Sequence, residues 1–112
     1  MKNTLIRILS FAFIITIIGC SDDTDPNFRI YNERSNKANV QIQTSGGNTI
    51  NINDVESGQV TAYQSVSVGN ITVTAGIQNE PVSPTITFNA AFDEKYTIVI
   101  QTTNPPSLRV DR

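Results

Sequence analysis

Side chains able to perform catalysis are scarce in this chain of 112 residues. It contains no histidine and a single cysteine, Cys20. Without an imidazole there is no histidine general base, no histidine metal ligand and no Ser-His-Asp triad. No glycine-rich phosphate loop follows a predicted strand, since Gly46-Gly47 is typical of a hairpin turn. We therefore expect a protein that is not an enzyme and that needs no cofactor.

Carboxylates are the remaining side chains that could bind a metal ion or act as acids and bases. Asp54 and Glu56 could offer oxygen ligands to calcium, as could Asp93 and Glu94. The two pairs fall in different predicted loops, without the spacing of a calcium-binding loop. Asp93-Glu94 is the one adjacent acidic pair in the domain, and an extended backbone would point these neighbours to opposite faces. We expect solvated turn residues, with no metal site and no catalytic acid pair.

Cys20 ends a segment that predicts the location of the protein. Lys2 and Arg7 precede an apolar stretch over residues 8–18, and Ile17-Ile18-Gly19-Cys20 closes it. This box resembles the lipobox of bacterial lipoprotein signal peptides. The resemblance implies that residues 1–19 are cleaved and that Cys20 is acylated, with palmitate-type chains as the membrane anchor. The apolar stretch is shorter than the roughly 18 to 20 residues that span a bilayer. A secretory signal with a chance cysteine is the alternative.

An acidic tract follows the cysteine. Ser21, Asp22 and Asp23 open it, and it continues to Pro26. It resembles the export tag of Bacteroidota-type lipoproteins, which implies an outer-membrane protein at the cell surface. The alternative is a solvated tether on a periplasm-facing protein. We expect residues 20–26 to form the lipidated cysteine and tether, and residues 27–112 to form one domain.

The charge of the mature chain argues against nucleic acid as a partner. Residues 20–112 contain six basic and ten acidic residues, a net charge of −4. The basic residues form no cluster or stripe of the kind that phosphate backbones require.

The apolar pattern has a period of two almost throughout, as in Tyr96, Ile98 and Ile100, which alternate with Thr97, Val99 and Gln101. Predicted strands are 27–33, 38–44, 48–53, 59–67, 70–77, 84–90, 95–102 and 107–111. Gly46-Gly47 and Gly69-Asn70 are predicted hairpin turns. Seven to eight short strands indicate an all-β fold, a two-sheet antiparallel sandwich that is immunoglobulin-like or similar. A small barrel is the alternative. If 107–111 is an edge strand, Arg109 and Arg112 would guard it against uncontrolled pairing.

Three segments carry a family resemblance over most of the domain: Phe28 to Asn32, Val60 to Thr74, and Lys95 to Val99. They resemble secreted bacterial β-sandwich domains of unknown function. The resemblance implies a sandwich fold and brings no catalytic residues.

Aromatic side chains are the candidates for a binding surface, because ring faces pack on the apolar faces of sugars. Tyr31 falls on the outward phase of its strand and is the candidate surface residue, although a core position is equally open. Tyr63 and Tyr96 are predicted in the core or at its rim, and Phe92 is predicted to plug the core. We expect a lipid-anchored module of the cell envelope that binds a glycan or protein without catalysis. A structural or assembly component with no small ligand is the alternative.

Overall fold

A computed structural model describes residues 23–112. Cys20, Ser21 and Asp22 lie outside the described residues, and the predictions made for them stay predictions. The described chain forms eight strands: β1 Asn27–Asn32, β2 Ala38–Gln43, β3 Thr49–Val55, β4 Gln64–Ser65, β5 Gly69–Ile77, β6 Thr85–Ala90, β7 Lys95–Ile100 and β8 Leu108–Asp111. Residues 23–112 include no helix that is long and apolar enough to cross a membrane.

The strands form two four-stranded sheets. The first sheet has the order β4-β1-β7-β8 and the second has the order β3-β2-β5-β6. This arrangement confirms the predicted all-β two-sheet sandwich. One pair departs from the antiparallel prediction, because β1 runs parallel to β7 from Asn27 opposite Lys95 to Asn32 opposite Ile100. Side chains alternate with the same period in both directions of pairing, so the alternation could not distinguish them.

The core lies between the two sheets and is filled by alternate residues of each strand. It comprises Phe28, Ile30, Ala38, Val40, Ile42, Val55, Val66, Ile71, Val73, Ala75, Ile77, Ala90, Tyr96, Ile98 and Ile100. Burial of these apolar side chains is the main favourable contribution to folding, at about 25 cal/mol per Å² of apolar surface. The same alternation leaves the odd-numbered residues of β1 on the outer face of the first sheet.

The predicted strand over 59–67 is interrupted. The Thr61 N–H donates to the Ile30 carbonyl at 2.9 Å, as in a regular ladder. The N–H of Ile30, however, donates to the Thr61 hydroxyl oxygen at 2.9 Å. A side-chain oxygen thus takes the place of a backbone carbonyl, and regular pairing with β1 resumes only at Gln64 and Ser65.

Of the two predicted glycine hairpins, one is confirmed and one is wrong. Gly47 has a φ of 90° in the β2–β3 turn, which the Thr44 N–H closes by donating to the Asn48 carbonyl at 2.9 Å. Gly69 and Asn70 instead begin β5. Because β4 and β5 belong to different sheets, the chain passes from one sheet to the other at this point.

The two ends of the sandwich carry different loops. At the N-terminal end, where the chain enters β1, lie the β2–β3 turn, the start of β5 and the β6–β7 turn over residues 91–94. At the opposite end lie the connections over residues 33–37, 56–58, 78–84 and 101–107.

Candidate functional site

Tyr31 lies on the outer face of the first sheet, as the alternation of apolar and polar residues along β1 predicts. Its neighbours Ile30 and Asn32 are fully buried, whereas Tyr31 is half-buried. Val99 of β7 is its register partner, and Val60 pairs with it on the other side through an isolated bridge. Val99 is 1% exposed although it lies on the outer face. Neighbouring side chains on the outer face therefore cover Val99 and shield it from solvent.

Tyr63 lies over the same outer face. It is 41% exposed, so the prediction that it lies in the core or at the rim of the core is wrong. The guanidinium carbon of Arg29 lies 4.7 Å from the centre of its ring, and the Lys95 ammonium lies 5.1 Å from it. Both distances are typical of cation–π contacts. The interruption at Thr61 precedes Tyr63 by two residues and frees this segment from the regular ladder.

Arg29 is held in place from a second direction. Its Nε donates a 3.0 Å hydrogen bond to the Thr97 hydroxyl on β7. Arg29 and Tyr31 are two residues apart on β1 and share the outer face, since both are half-buried while Phe28 and Ile30 lie inside. We call the surface formed by Arg29, Tyr31, Tyr63 and Lys95 the aromatic-basic face.

The charge of the aromatic-basic face comes from Arg29 and Lys95. Within residues 23–112 neither side chain forms a salt bridge. On the neighbouring edge strand β8, Arg109 donates to both carboxylate oxygens of Asp111, at 2.9 and 3.0 Å. These bonds raise the pKa of Arg109 and lower the pKa of the Asp111 carboxyl. Arg109 and Asp111 thus neutralise each other, whereas Arg29 and Lys95 place two positive charges beside Tyr63.

The two acidic pairs considered for calcium or acid–base chemistry, Asp54 with Glu56 and Asp93 with Glu94, lie at opposite ends of the sandwich. Asp54 is at the opposite end of the sandwich, where one carboxylate oxygen is 3.4 Å from the Lys37 ammonium. Asp93 is in the β6–β7 turn at the N-terminal end, where it accepts hydrogen bonds from Thr24. In the part of the chain that the structure describes, no three metal-ligating side chains come together.

Arg34 forms a separate cluster at the opposite end, which sequence reasoning did not anticipate. One terminal nitrogen donates to the carbonyls of Gln101 and Thr103, at 2.8 and 2.9 Å, and the other forms a 2.8 Å ion pair with Glu80. The cluster joins three loops. An open depression of about 370 Å³ next to it is lined by Lys37, Ala38, Asn39, Gly76, Ile77, Gln78, Glu80 and Ser83.

Phe92 corrects another prediction. The ring does not plug the core, because the residue is 46% exposed. Tyr96, which is fully buried and 4.9 Å from Phe88 between ring centres, fills the core at this end. Its burial confirms the core prediction for Tyr96, and its hydroxyl accepts a 3.0 Å hydrogen bond from the Ala91 N–H. The exposure of Phe92 and Tyr63 depends on the turn and on the interrupted strand, which alternation alone does not reveal.

Comparison with known proteins identifies the fold. A protein from Eubacterium rectale whose structure was determined by NMR superimposes with a TM-score of 0.56 and 16% sequence identity, over 81% of this chain and 88% of that one. No family model matches the chain, and no curated protein matches it. At this identity the likeness establishes the β-sandwich fold alone.

Proposed function

We propose that this protein is a lipid-anchored, non-catalytic module of the cell envelope that binds a glycan through the aromatic-basic face. The observation that carries the proposal is the exposed Tyr63 ring against Arg29 and Lys95, with Tyr31 on the same face. An aromatic ring offers a flat apolar surface with a polar hydroxyl. A guanidinium and an ammonium recognise carboxylates. Together they suit a sugar polymer that bears carboxylate groups.

The arrangement of acidic residues supports binding without catalysis. Hydrolysis of a glycosidic bond by two carboxylates needs them about 5 to 10 Å apart around one cleft. The acidic pairs at Asp54–Glu56 and Asp93–Glu94 instead lie at opposite ends of the sandwich. The sequence also supplies no histidine. We expect an anionic polysaccharide to be held at this face and not hydrolysed.

The lipid anchor rests on the sequence. The lipobox ending at Cys20 and the tract Ser21, Asp22 and Asp23 support acylation and export to the outer surface of the outer membrane. Intact mass of the membrane-extracted protein tests acylation, since loss of residues 1–19 and gain of acyl chains change it in opposite directions. Protease treatment of intact cells, with a periplasmic control protein, tests the side of the membrane. Protection of the domain until the outer membrane is broken would favour the periplasm-facing alternative.

Affinity electrophoresis of the detergent-solubilised protein tests the binding site. We expect retardation in gels that contain polygalacturonate, a carboxylate-bearing polymer, and little in gels that contain dextran, which is neutral. Tyr63→Ala, Arg29→Gln and Tyr31→Ala should each weaken the retardation about tenfold, in line with loss of one aromatic or charged contact. Thr87→Ala on the outer face of the second sheet is the matched control and should leave it unchanged.

Two results would contradict the proposal in different ways. Retardation that all variants retain would place the binding site elsewhere on the molecule. Absence of retardation by polygalacturonate, with the melting temperatures of all variants intact, would reject a carboxylate-bearing glycan as the ligand.

A structural or assembly role is the alternative, and the edges of the second sheet favour it. Residues 49–53 of β3 and residues 85–90 of β6 carry no charge, although exposed edge strands are usually protected by charged residues or proline. Edge pairing between copies would give a mass that rises with protein concentration. Asn51→Lys on β3 should suppress that rise if β3 is the pairing edge, and Thr87→Lys should do so if β6 is.

A further inference from the structure

The β6–β7 turn presents an aromatic ring to the exterior in a fixed conformation. Phe92 is 46% exposed. The flanking residues are held by hydrogen bonds, because the Ala91 N–H donates to the Tyr96 hydroxyl at 3.0 Å and the Asp93 N–H donates to the Thr24 carbonyl at 2.9 Å. A large apolar side chain at the tip of a turn is available to an apolar or interfacial partner.

The N-terminal segment is fastened to the same turn. The N–H and the hydroxyl of Thr24 donate to one carboxylate oxygen of Asp93 at 2.9 and 2.8 Å, and the Asp93 N–H donates to the Thr24 carbonyl at 2.9 Å. We call these three hydrogen bonds the Thr24–Asp93 clasp. Pro26 is buried, and its carbonyl accepts a 2.9 Å hydrogen bond from the Val66 N–H. The chain therefore reaches the domain directly beside Phe92.

The distance from Cys20 to this turn is limited by the chain. Thr24 is four residues after Cys20, and an extended chain covers about 3.3 Å per residue, or at most about 13 Å in total. An acyl chain on Cys20 would hold that residue at the membrane surface. Thr24 would then lie at most about 13 Å from the acylated residue, and the clasp would hold the β6–β7 turn next to Thr24, while the opposite end of the sandwich faces away.

We propose that the β6–β7 turn docks on the lipid bilayer, with Phe92 in the headgroup region and the Thr24–Asp93 clasp fixing the orientation of the sandwich. This inference rests on the proposed acylation of Cys20. Aromatic side chains bind favourably at the membrane interface, and a second contact strengthens a lipid anchor. Lys95 directly follows this turn, whereas Arg29 and Tyr31 lie farther along the first sheet and stay accessible to a polymer in this orientation.

Tryptophan reporters test the orientation, because the chain contains no tryptophan. Phe92→Trp places a probe in the turn. Val82→Trp is the matched control, because Val82 is also 46% exposed but lies in the β5–β6 connection at the opposite end. The acylated full-length protein is reconstituted in phosphatidylcholine vesicles that contain brominated lipids. We expect the brominated lipid to quench about half of the emission of the Phe92→Trp variant and none of the emission of the Val82→Trp variant. The emission maximum of Phe92→Trp should lie at a shorter wavelength than that of Val82→Trp.

Asp93→Gly tests the clasp, since it removes the carboxylate that accepts both hydrogen bonds from Thr24, and glycine tolerates the positive φ at this position. Combined with Phe92→Trp, it should reduce the quenching because the turn is held less firmly at the surface. Undiminished quenching in the combined variant would reject the role of the clasp in orientation.

The outcomes separate the docking from the anchor. If the acylated protein floats with the vesicles and the Phe92→Trp variant is not quenched, the docking is wrong and the lipid anchor stands. If the protein carries no acyl mass and stays in solution, both are wrong. If the tryptophan of the Phe92→Trp variant is shielded from solvent in whole envelopes but not in vesicles, the turn binds an envelope protein, and docking on lipid is wrong.

Discussion

The side-chain amide of Asn32 donates a 3.0 Å hydrogen bond to the carbonyl of Val55, which joins the last residue of β1 in the first sheet to the last residue of β3 in the second. The same nitrogen donates to the Asn36 carbonyl at 2.8 Å, and the amide oxygen accepts from the Arg34 N–H at 2.9 Å. Asn32 is fully buried. Buried polar groups require such partners, so this amide connects the two sheets at the opposite end of the sandwich.

Asn32→Ala should destabilise the domain by about 2–4 kcal/mol, because it leaves the part-buried Arg34 N–H and the carbonyls of Asn36 and Val55 without this partner. Urea unfolding measures the loss. Asn51→Ala is the control, since Asn51 is exposed on β3 and its replacement should change stability by about 0.5 kcal/mol or less. Equal losses in the two variants would show that the bonds of Asn32 add nothing to stability.

Two glycines of β5 should respond to alanine in opposite directions. Gly69 has a φ of 116°, and a Cβ there would lie 2.7 Å from the Ser45 hydroxyl oxygen. Gly69→Ala should therefore cost about 1–3 kcal/mol in backbone strain and steric conflict. At Gly76 the nearest atom to a Cβ would be the Asn39 carbonyl oxygen at 3.8 Å. Gly76→Ala should stabilise by about 0.4–1 kcal/mol through the unfolded chain. Thermal melts of both variants check the signs, and two shifts in the same direction would contradict this account.

Tyr96→Phe tests whether the buried hydroxyl holds the β6–β7 turn. The Ala91 N–H loses its acceptor in this variant, and we expect a loss of about 1–2 kcal/mol in the free energy of unfolding. Hydrogen exchange of the Ala91 amide should become faster as well. Tyr31→Phe removes a hydroxyl from the outer face and is the matched control, with no change expected at Ala91. Unchanged exchange at Ala91 in Tyr96→Phe would show that the turn is held by its other contacts.

Alternation predicted the strands that have one buried face. The bounds of β2, β6 and β7 fall within two residues of those predicted, because a shift of one residue would turn their apolar side chains to solvent. The direction of pairing could not be predicted in this way, so the parallel β1–β7 pair was missed. The predicted strand over 59–67 is too long. The hydroxyl of Thr61 takes the place of a backbone carbonyl, and this depends on the contact with β1, which the sequence of the segment does not reveal.

The candidate site was predictable only in part. Tyr31 and Arg29 share the outward phase of β1, which the sequence displays directly. Lys95 joins them through the register of the parallel pair, and Tyr63 joins them through the interruption after Thr61. Both depend on tertiary contacts. The place of Phe92 next to Ala90 and Ala91 at a predicted strand end indicates a core plug, yet the residue is exposed and Tyr96 fills the interior at this end.

The Thr24–Asp93 clasp should weaken in acid. The Thr24 N–H, and next its hydroxyl, donate to the Asp93 carboxylate and lower its pKa. Because the folded pKa lies below that of the unfolded chain, about 3.9, the contribution of Asp93 to stability is present above that pH and disappears as pH falls through the folded pKa. Asp111, whose pKa Arg109 lowers, acts with the same sign.

We therefore expect melting temperatures that are level between about pH 5 and 7 and fall below about pH 4. The fall should be shallower in Asp93→Asn, because an amide keeps an acceptor oxygen but does not titrate, and Asn tolerates the positive φ at this position. Thr24→Val, which retains the backbone donor, should give an intermediate profile. Both effects are small because the carboxylate is exposed to solvent. Superimposable profiles for Asp93→Asn and the unmodified protein would show that the clasp does not sense pH.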